Sequence, residues 1–317
     1  MSEVTVAIPV RDGGALLERT LAALASQTVP HELLVCDSGS RDGSVERART
    51  HGGRVVEIAP EDFGHGATRN LLMSEARGTH VALLTQDAQP AGPQWLEALL
   101  GGFALGEDVG IVYGPYLPRP DAPPSVAREV EGWFASLAPD GAPLVERLNE
   151  RERTLGAGEL VRQNDWELVG RRGFFTDANA CLARAAWERA PFREVPYAED
   201  RLLALDAMRA GYAKAYVPAA AVVHSHAYTP SQELRRAFDE WRGLLEVYGW
   251  RRPIDPRHLA RELRGAPSAH NVLRLTGAVL GSRADRLPPG LRRRLSLEGR
   301  GGFAPVDLDA PVGPPDR

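Results

Sequence analysis

Short apolar runs alternate with segments of helical spacing along the first 90 residues of the chain. The apolar runs lack the polar alternation of a sheet with one wet face, which predicts strands buried on both faces. The predicted strands are residues 4–10, 32–37, 54–60 and 80–87, and the predicted helices lie within residues 15–27, 38–50 and 66–78. Strands joined in this order by helices imply a parallel sheet with right-handed crossovers.

Carboxylates stand where three of these predicted strands end. Asp12 follows the first strand, Asp37 closes the second and Asp87 closes the fourth. In sheets of parallel strands, ligands bind outside the carboxyl ends of the strands. We therefore expect these three acids, which are distant in the sequence, to converge on one crevice.

The second half of the chain has a less regular pattern. Residues 124–150 look mostly helical, and residues 153–173 have the Gly-rich, polar character of a mobile segment. The later predicted elements are a strand at 174–183, a helix in 197–211, a strand pair or extended arm at 212–228 and an amphipathic helix at 231–249. This pattern predicts an α/β protein that ends in helices.

The composition is ordinary for a globular protein, with 43% hydrophobic and 25% charged residues among 317. A net charge of −4 does not favour a nucleic-acid partner. The N-terminus lacks a basic segment followed by a long apolar run, and no uncharged window reaches a membrane-spanning length. Cys36 and Cys181 lie in apolar runs, so we expect both to be core residues of a protein in the reducing cytosol.

Six short motifs follow one another in a fixed order along the chain. The motifs are IPVRDGG, CDSGSRDGS, FGHGATRN, LLTQDAQP, AED and VVHSH. Together they resemble the family 2 inverting glycosyltransferases with the GT-A fold, and within that family the bacterial rhamnosyltransferases that use a nucleotide-diphosphate sugar. The resemblance covers roughly residues 4 to 250.

This resemblance implies a fold and a division of the chain. The fold is α/β and GT-A-like, a Rossmann-related and mostly parallel sheet flanked by helices, with a helical C-terminal extension. The glycosyltransferase domain is expected at 1–230, with a nucleotide-binding half at about 1–115 and an acceptor-binding half at about 116–230. The extension and the tail, whose Gly and Pro content predicts disorder, are expected at 231–300 and 301–317.

A nucleotide donor is expected at the end of the second strand. Asp37 can accept the ring N–H of uracil or thymine while Arg69 donates to a ring carbonyl, so the two would read a pyrimidine base. The sequence equally allows Asp37 to cap a helix and Arg69 to lie on a helix surface. By resemblance the donor, a dTDP- or UDP-linked sugar, also contacts Pro9, Val10 and His65, although His65 can instead serve loop packing.

Asp87 stands in the position of the acidic Asp-x-Asp motif that, by resemblance, holds a divalent metal and the diphosphate. Thr85 replaces the first acid of that motif, so a Mg²⁺ or Mn²⁺ ion would need a further ligand. His224 or His226 could supply it, because imidazole is a tolerated ligand, but alternate residues of a regular strand face opposite sides, so at most one of the two should reach the site. By resemblance the ligand is the histidine after the strand, which favours His226. The structural alternative is that Asp87 caps the turn before Pro90.

Glu199 and Asp200 begin a predicted helix, where the macrodipole favours an ionised carboxylate. By resemblance Asp200 is the base that takes the proton of the acceptor hydroxyl, and Glu199 positions the acceptor or the loop. Two acids that simply cap a helix are the alternative. For the acceptor itself, Trp166, Asp177 and Asn179 are candidates, because aromatic rings stack on sugars and polar groups bind hydroxyls, although Trp166 can equally be a core residue.

Residues 282–300 carry six arginines and only two acids. This basic segment suits either a solvated surface or peripheral contact with an anionic membrane that carries a lipid-linked acceptor. The sequence gives no indication of an oligomeric state.

The function we expect is metal-assisted transfer, with inversion, of a deoxyhexose such as L-rhamnose to a glycan or lipid-linked acceptor. One alternative, a sugar-1-phosphate nucleotidyltransferase, needs a triphosphate-binding loop after the first strand, where only Arg11 offers a positive charge. The other, a binding module without catalysis, is suggested by Thr85. The base candidate Asp200 separates a catalyst from a binding module.

Overall fold

The centre of the molecule is a large mixed sheet, described from a computed structural model of residues 3–255, 257, 260, 264 and 268–312, apart from the side chains of residues 164–166 and 169. The strands are β1 (Val4–Val10), β2 (Glu32–Asp37), β3 (Arg54–Glu57), β4 (His80–Leu84), β5 (Gln89–Pro90), β6 (Val109–Tyr113), β7 (Tyr116–Leu117), β8 (Leu144–Glu146), β9 (Asn179–Ala183), β10 (Ala213–Tyr216) and β11 (Val222–Val223).

The helices flank this sheet and continue beyond it at the C-terminal end. They are α1 (Gly14–Ala25), α2 (Ser44–Thr50), α3 (His65–Glu75), α4 (Trp95–Gly101), α5 (Pro124–Leu137), α6 (Glu150–Thr154), α7 (Ala157–Trp166), α8 (Arg184–Arg189), α9 (Glu199–Arg209), α10 (Pro230–Tyr248), α11 (Ala269–Gly281) and α12 (Pro289–Leu295). A π-helical stretch, Glu167–Arg172, follows α7 directly.

Eight strands form the main sheet in the order β3-β2-β1-β4-β9-β6-β10-β8. The pairs among β1, β2, β3 and β4, and the pair of β6 with β10, are parallel, whereas β9 and β8 run antiparallel to their neighbours. A second sheet of three short strands, β5-β11-β7, lies beside the main one. The predicted α/β architecture with a mostly parallel sheet is confirmed.

Some predicted elements are corrected. The helix expected over 124–150 ends at Leu137, and β8 follows as an edge strand antiparallel to β10. The strand expected at 174–183 begins only at Asn179. The arm expected at 212–228 is two strands in different sheets, β10 and β11.

Apolar side chains cover both faces of the main sheet. Ile8 and Val10 of β1 point into the cluster that includes α1 and α4, and Ala7 points into the cluster that includes α3 and α5. Burial on both faces explains why the parallel strands lack polar alternation. Cys36 and Cys181 are buried in these clusters, and neither forms a disulfide with any described residue.

The loops at the carboxyl ends of β1, β2 and β4 are tied to one another. The backbone N–H of Asp12 donates to Ser40 Oγ over 2.8 Å. The backbone N–H of Arg11 donates to Gln86 Oε1 over 2.9 Å, and Gln86 Nε2 donates back to the Arg11 carbonyl. These side-chain contacts fix three strand ends around one crevice.

The C-terminal helices share a core with the middle of the chain. Leu244 of α10 and Ala278 of α11 are buried with residues of α7 and α9. The tail described to residue 312 joins this core, because Leu308 is 7% exposed and the Val306 N–H donates to the Glu246 carbonyl over 2.7 Å. The expectation that 301–317 is disordered is therefore corrected for residues 301–312. No helix within the described part of the chain is both long enough and apolar enough to cross a membrane.

Candidate active site

Asp37 ends β2, and only one of its two carboxylate oxygens accepts hydrogen bonds from described residues. Its Oδ1 accepts the backbone N–H groups of Gly39 and Ser40, each over 2.9 Å, as an Asp that closes a turn does. Its Oδ2 is buried and accepts no hydrogen bond from any described residue. Because buried acceptors are nearly always paired, this oxygen is a candidate for a donor group on a ligand.

Asp87 follows β4 and faces two imidazoles. Its Oδ1 lies 3.5 Å from His224 Nδ1 and its Oδ2 lies 4.0 Å from His226 Nδ1. One ligand atom from each of the three residues falls within 4.8 Å of the others, close enough to share an ion. His224 Nδ1 is buried without a hydrogen-bond partner among the described residues, so the site contains a ligand atom that no described residue satisfies.

Both histidines reach Asp87, in contrast to the expectation that at most one would. The expectation assumed a regular strand, but β11 ends at Val223, before the histidines. The His224 N–H still donates to the Leu117 carbonyl, while His226 lies in irregular backbone. The alternation of a strand therefore does not apply to this pair.

The protonation states of Asp87 and the two histidines suit a metal site. Burial acts to raise the pKa of Asp87, but His224, His226 and Arg119 outweigh it, so the pKa lies below its usual value. Burial lowers the pKa of His224. Loss of hydration, and secondly the nearby His224, lower the pKa of His226 to about 4. An ionised carboxylate with two neutral imidazoles is a suitable ligand set for a divalent cation.

Arg119 is a site residue that the sequence reasoning missed. One of its Nη atoms donates to Asp87 Oδ2 over 2.9 Å and to the Asp87 carbonyl over 3.0 Å. Arg119 lies in a Pro-rich loop with no motif around it. The only available signal was a basic residue between two prolines, which does not by itself indicate a site.

A second group of charges lies at the start of α9, around Arg69. The Arg69 guanidinium is 4% exposed, contacts both carboxylate oxygens of Asp177, and lies 3.5 Å from Glu199 Oε1. Arg69 therefore pairs with Asp177, in the loop before β9, and with Glu199 of α9 rather than with Asp37. The expectation that Arg69 and Asp37 together read a base is corrected, because the nitrogens of the guanidinium are already engaged by Asp177 and Glu199.

Burial raises the pKa values of the three acids of this group, Asp177, Glu199 and Asp200. Burial first, and then the Asp177 carboxylate, raises the pKa of Glu199 to about 8. Burial raises the pKa of Asp177 to about 7, with Arg69 opposing the rise and Asp200 adding to it. Burial likewise raises the pKa of Asp200. The macrodipole of α9 was expected to keep these acids ionised, but burial and mutual repulsion are the stronger effects.

Tyr116 connects the two groups. Its ring packs edge-on against His224, with the ring centres 4.8 Å apart, and its hydroxyl is hydrogen-bonded to Thr176 Oγ1. The Tyr116 hydroxyl is also within electrostatic range of Asp177 and Asp200. The metal-capable group, which is Asp87, His224 and His226, therefore lies on the same side of the molecule as the acids at the start of α9.

The acceptor candidates differ in what they do. Asn179 is completely buried, accepts from Trp95 Nε1 over 2.8 Å and donates to the carbonyls of Pro115 and Ala220. Its role as an acceptor-binding residue is corrected, because its hydrogen bonds hold β9 to its neighbours. Asp177 is engaged by Arg69, and the side chain of Trp166 lies outside the described residues.

The remaining donor candidates lie at the end of β1 and at the start of α3. The Val10 carbonyl, next to Pro9 in β1, accepts the N–H of Ser38 over 3.0 Å, which brings the ends of β1 and β2 together. His65 begins α3 and packs edge-on against Phe63, with the ring centres 5.2 Å apart. These positions leave the side chain of His65 exposed.

Comparison with known proteins gives consistent matches. The family model "Glycosyl transferase family 2" matches residues 5–136. The O-antigen chain rhamnosyltransferase WbaN of Salmonella anatum is 32% identical over 246 residues, which are 75% of this chain and 71% of that protein. The O-antigen chain rhamnosyltransferase RfbN of Salmonella typhimurium is 32% identical over 248 residues, with the same coverage of both proteins.

Solved structures share the fold at lower identity. A mannosyltransferase of Pyrobaculum calidifontis, solved with GDP-Man and Mn²⁺, has a TM-score of 0.55 and 20% identity over 89% of this chain and 73% of that one. Glucosyl-3-phosphoglycerate synthase of Mycobacterium tuberculosis, solved with Mn²⁺ and UDP, has a TM-score of 0.52 and 20% identity over 79% of this chain and 81% of that one. The fold is GT-A.

Proposed function

Because the chain belongs to glycosyltransferase family 2 and is a glycosyltransferase, we propose that it transfers a sugar, with inversion, from a nucleotide-diphosphate donor bound at the carboxyl ends of β1, β2 and β4. The observation that carries the proposal is the unsatisfied polar atoms at these strand ends. The free Oδ2 of Asp37 lies at the carboxyl end of β2, where parallel strands bind ligands, and the unpaired Nδ1 of His224 faces Asp87, which follows β4. We propose that Asp37 Oδ2 accepts the ring N–H of a uracil or thymine, while Pro9, Val10 and His65 contact the donor.

A divalent cation, Mg²⁺ or Mn²⁺, is part of the proposal. Asp87, His224 and His226 would hold it, and Thr85 adds a hydroxyl rather than a charge at the position of the missing acid. When bound, such an ion neutralises negative charge that develops on a departing nucleotide diphosphate. The pair of neutral imidazoles compensates for the missing carboxylate as a source of ligand atoms.

Asp200 is proposed as the base. The acceptor hydroxyl attacks the anomeric carbon, the bond from that carbon to the diphosphate oxygen breaks, and Asp200 takes the hydroxyl proton. Asp200 is only partly buried, while Glu199 is 7% exposed and lies against Arg69. Accessibility therefore favours Asp200 as the base and Glu199 as a residue that positions it.

The relatives support a proposal for the sugar and for the acceptor. Two O-antigen chain rhamnosyltransferases match three quarters of the chain, and this supports L-rhamnose or another deoxyhexose as the sugar and a glycan or lipid-linked glycan as the acceptor. A dTDP- or UDP-linked donor fits the pyrimidine recognition proposed for Asp37. We place the enzyme in the cytoplasm, as two buried cysteines without a disulfide suggest.

Peripheral contact with the inner face of the membrane remains part of the proposal. Three arginines of the basic segment 282–300 are used inside the protein, because Arg283, Arg292 and Arg300 donate to backbone carbonyls or to Glu246. Arg286, Arg293 and Arg294 are the remaining arginines that would face anionic lipid.

A binding and transfer experiment with matched variants tests the function. Wild type is expected to show a thermal shift with dTDP- or UDP-linked sugars that increases with Mn²⁺, because selective binding raises apparent stability. Asp37→Asn should lose most of this shift, whereas Asp140→Asn, a change at an exposed carboxylate that accepts the Ala142 N–H within its own turn, should retain it.

A further variant, Asp200→Asn, separates the competing functions. Asp200→Asn should keep the thermal shift and lose transfer by about 10²–10⁴-fold, the usual contribution of a general base. Equal transfer by wild type and Asp200→Asn, with nucleotide sugar still bound, would favour a binding module. Pyrophosphate release from a nucleoside triphosphate and a sugar phosphate would instead indicate a nucleotidyltransferase.

A further inference from the structure

Arg119 forms an ion pair with Asp87, the carboxylate that a cation would need. Its guanidinium lies 2.9 Å from Asp87 Oδ2, the same oxygen that faces His226 Nδ1. Of the three residues in the metal-capable group, Asp87 is the one that carries a negative charge. A guanidinium and a metal ion would therefore compete for the negative charge of one carboxylate, whose other oxygen, Oδ1, faces His224 Nδ1.

The position of Arg119 is fixed by its backbone. Its N–H donates to Ser225 Oγ over 3.0 Å, and Ser225 lies between the two histidines of the group. Pro118 and Pro120 flank it in sequence, and proline restricts the backbone of its neighbours. The loop after β7 is thus attached to the histidine segment, with its guanidinium directed at Asp87.

The Arg119 side chain is not sealed in the protein. The side chain is 19% exposed, and one Nη atom of the guanidinium donates to Asp87. A guanidinium presents several donors in a planar fork that matches two phosphate oxygens. Its charge is also permanent, so it is present whether or not a metal is bound.

We propose that Arg119 is a diphosphate-binding residue that exchanges partners during donor binding. Without a donor it neutralises Asp87, and when a cation binds to Asp87, the released guanidinium donates to the diphosphate of the donor. This proposal rests on the proposed function, because it needs a nucleotide diphosphate at this site. It explains how a site with Thr85 in place of an acid collects enough positive charge for a diphosphate.

The exchange predicts opposite changes for two ligands. In Arg119→Gln, Mn²⁺ alone should bind about 3- to 10-fold more tightly, because the carboxylate no longer has a competing partner. In the presence of saturating Mn²⁺, UDP or dTDP should bind Arg119→Gln about 10-fold more weakly than wild type or worse, because the charged hydrogen bond from the released guanidinium is lost. Arg119→Lys should lie between wild type and Arg119→Gln for the nucleotide.

Free Mn²⁺ measured by electron paramagnetic resonance and nucleotide binding measured by calorimetry give the two values. The matched control is Arg128→Gln, a change at an exposed arginine of α5. Weaker binding of both Mn²⁺ and nucleotide, in Arg119→Gln and Arg119→Lys alike, would indicate a structural role and overturn the proposal.

Failure of this proposal is distinct from failure of the proposed function. If wild type binds UDP or dTDP and both Arg119 variants match Arg128→Gln, only the role of Arg119 is wrong. If wild type binds neither nucleotide with or without Mn²⁺, the proposed function is wrong, and the role of Arg119 falls with it.

Discussion

Single buried charges determine much of this site at the level of residues. Arg69 is nearly inaccessible to water and balances Asp177, in the loop before β9, and Glu199 of α9. Because a buried charge is costly unless it is paired, Asp177 and Arg69 are mutually dependent. The same residue that looked like a base-reading group in the sequence thus holds the acids of α9 in place.

Replacing Arg69 should destabilise the protein strongly. Arg69→Met is expected to lower the free energy of unfolding by about 3–5 kcal/mol, because it leaves buried carboxylates without a partner. Urea unfolding at pH 7.5 measures the change. Arg41→Met, at an exposed side chain, should stay within about 0.5 kcal/mol of wild type. A loss below about 1 kcal/mol for Arg69→Met would contradict the pairing.

Glu199 should make stability depend on pH. Its folded-state pKa is raised from 4.5 to about 8, so the folded state holds the proton more tightly than the unfolded state. Stability contributed by this group is therefore present at low pH and decreases as the pH rises through the interval from about 4.5 to about 8.

The variant Glu199→Gln tests this dependence. Relative to wild type it should gain more than about 1 kcal/mol at pH 8.5, the equivalent of one pKa unit, and nothing near pH 4.5. Chemical unfolding across this range gives the comparison. A constant difference between the two proteins at all pH values would show that Glu199 does not titrate as argued.

Close packing of helices decides the structure at the level of elements. Helices α10 and α11 approach closely at Gly277 and Gly281. A Cβ at these glycines would lie only 2.2 Å from the Leu234 carbonyl oxygen and 2.3 Å from that of Phe238. The missing side chains therefore set the distance between the two helices.

Adding a methyl group at this contact should separate the helices. Gly277→Ala is expected to cost about 1–3 kcal/mol or more, because backbone has to move to make room. Gly132→Ala in α5, where a Cβ meets nothing within 4 Å, should instead be stabilising by about 0.5–1 kcal/mol. Thermal unfolding of the two variants provides the test, and equal effects would refute the packing argument.

The C-terminal segment links distant parts of the chain at the level of the whole molecule. Leu308 packs into the core shared by α7, α9, α10 and α11. Arg193 donates to the Leu308 carbonyl over 3.2 Å, and Asp309 Oδ1 accepts the Ala157 N–H at the start of α7. Residues 301–312 therefore hold the helical extension against the half of the enzyme that carries the acceptor candidates.

Leu308→Ala should weaken the molecule although it lies far from the catalytic acids. We expect a loss of about 2 kcal/mol, at the lower end of the range for buried leucines. Leu291→Ala, at a side chain that is 42% exposed, should change stability by less than about 0.5 kcal/mol. Equilibrium unfolding of both variants checks this, and a neutral Leu308→Ala would mean that the segment is only loosely attached.

Local patterns were sufficient for the elements and for the positions of several acids. The apolar runs predicted β1 to β4, and the order of the motifs predicted the family and the fold, which the comparisons confirm. Asp37 ends β2 as predicted, whereas Asp87, predicted to close the fourth strand, lies in the loop after β4, which ends at Leu84. Both acids could be assigned to this edge because a parallel sheet puts the carboxyl ends of neighbouring strands together. Such inferences need only the period of the strands and helices.

Tertiary structure decided which side chains meet. Arg69 pairs with Asp177, which is 108 residues away, and Arg119 pairs with Asp87 across 32 residues. Asn179 was expected in the acceptor site but is completely buried as a support for β9. Partners of this kind depend on how separate elements pack and how deeply each group is buried, and no local periodicity encodes either one.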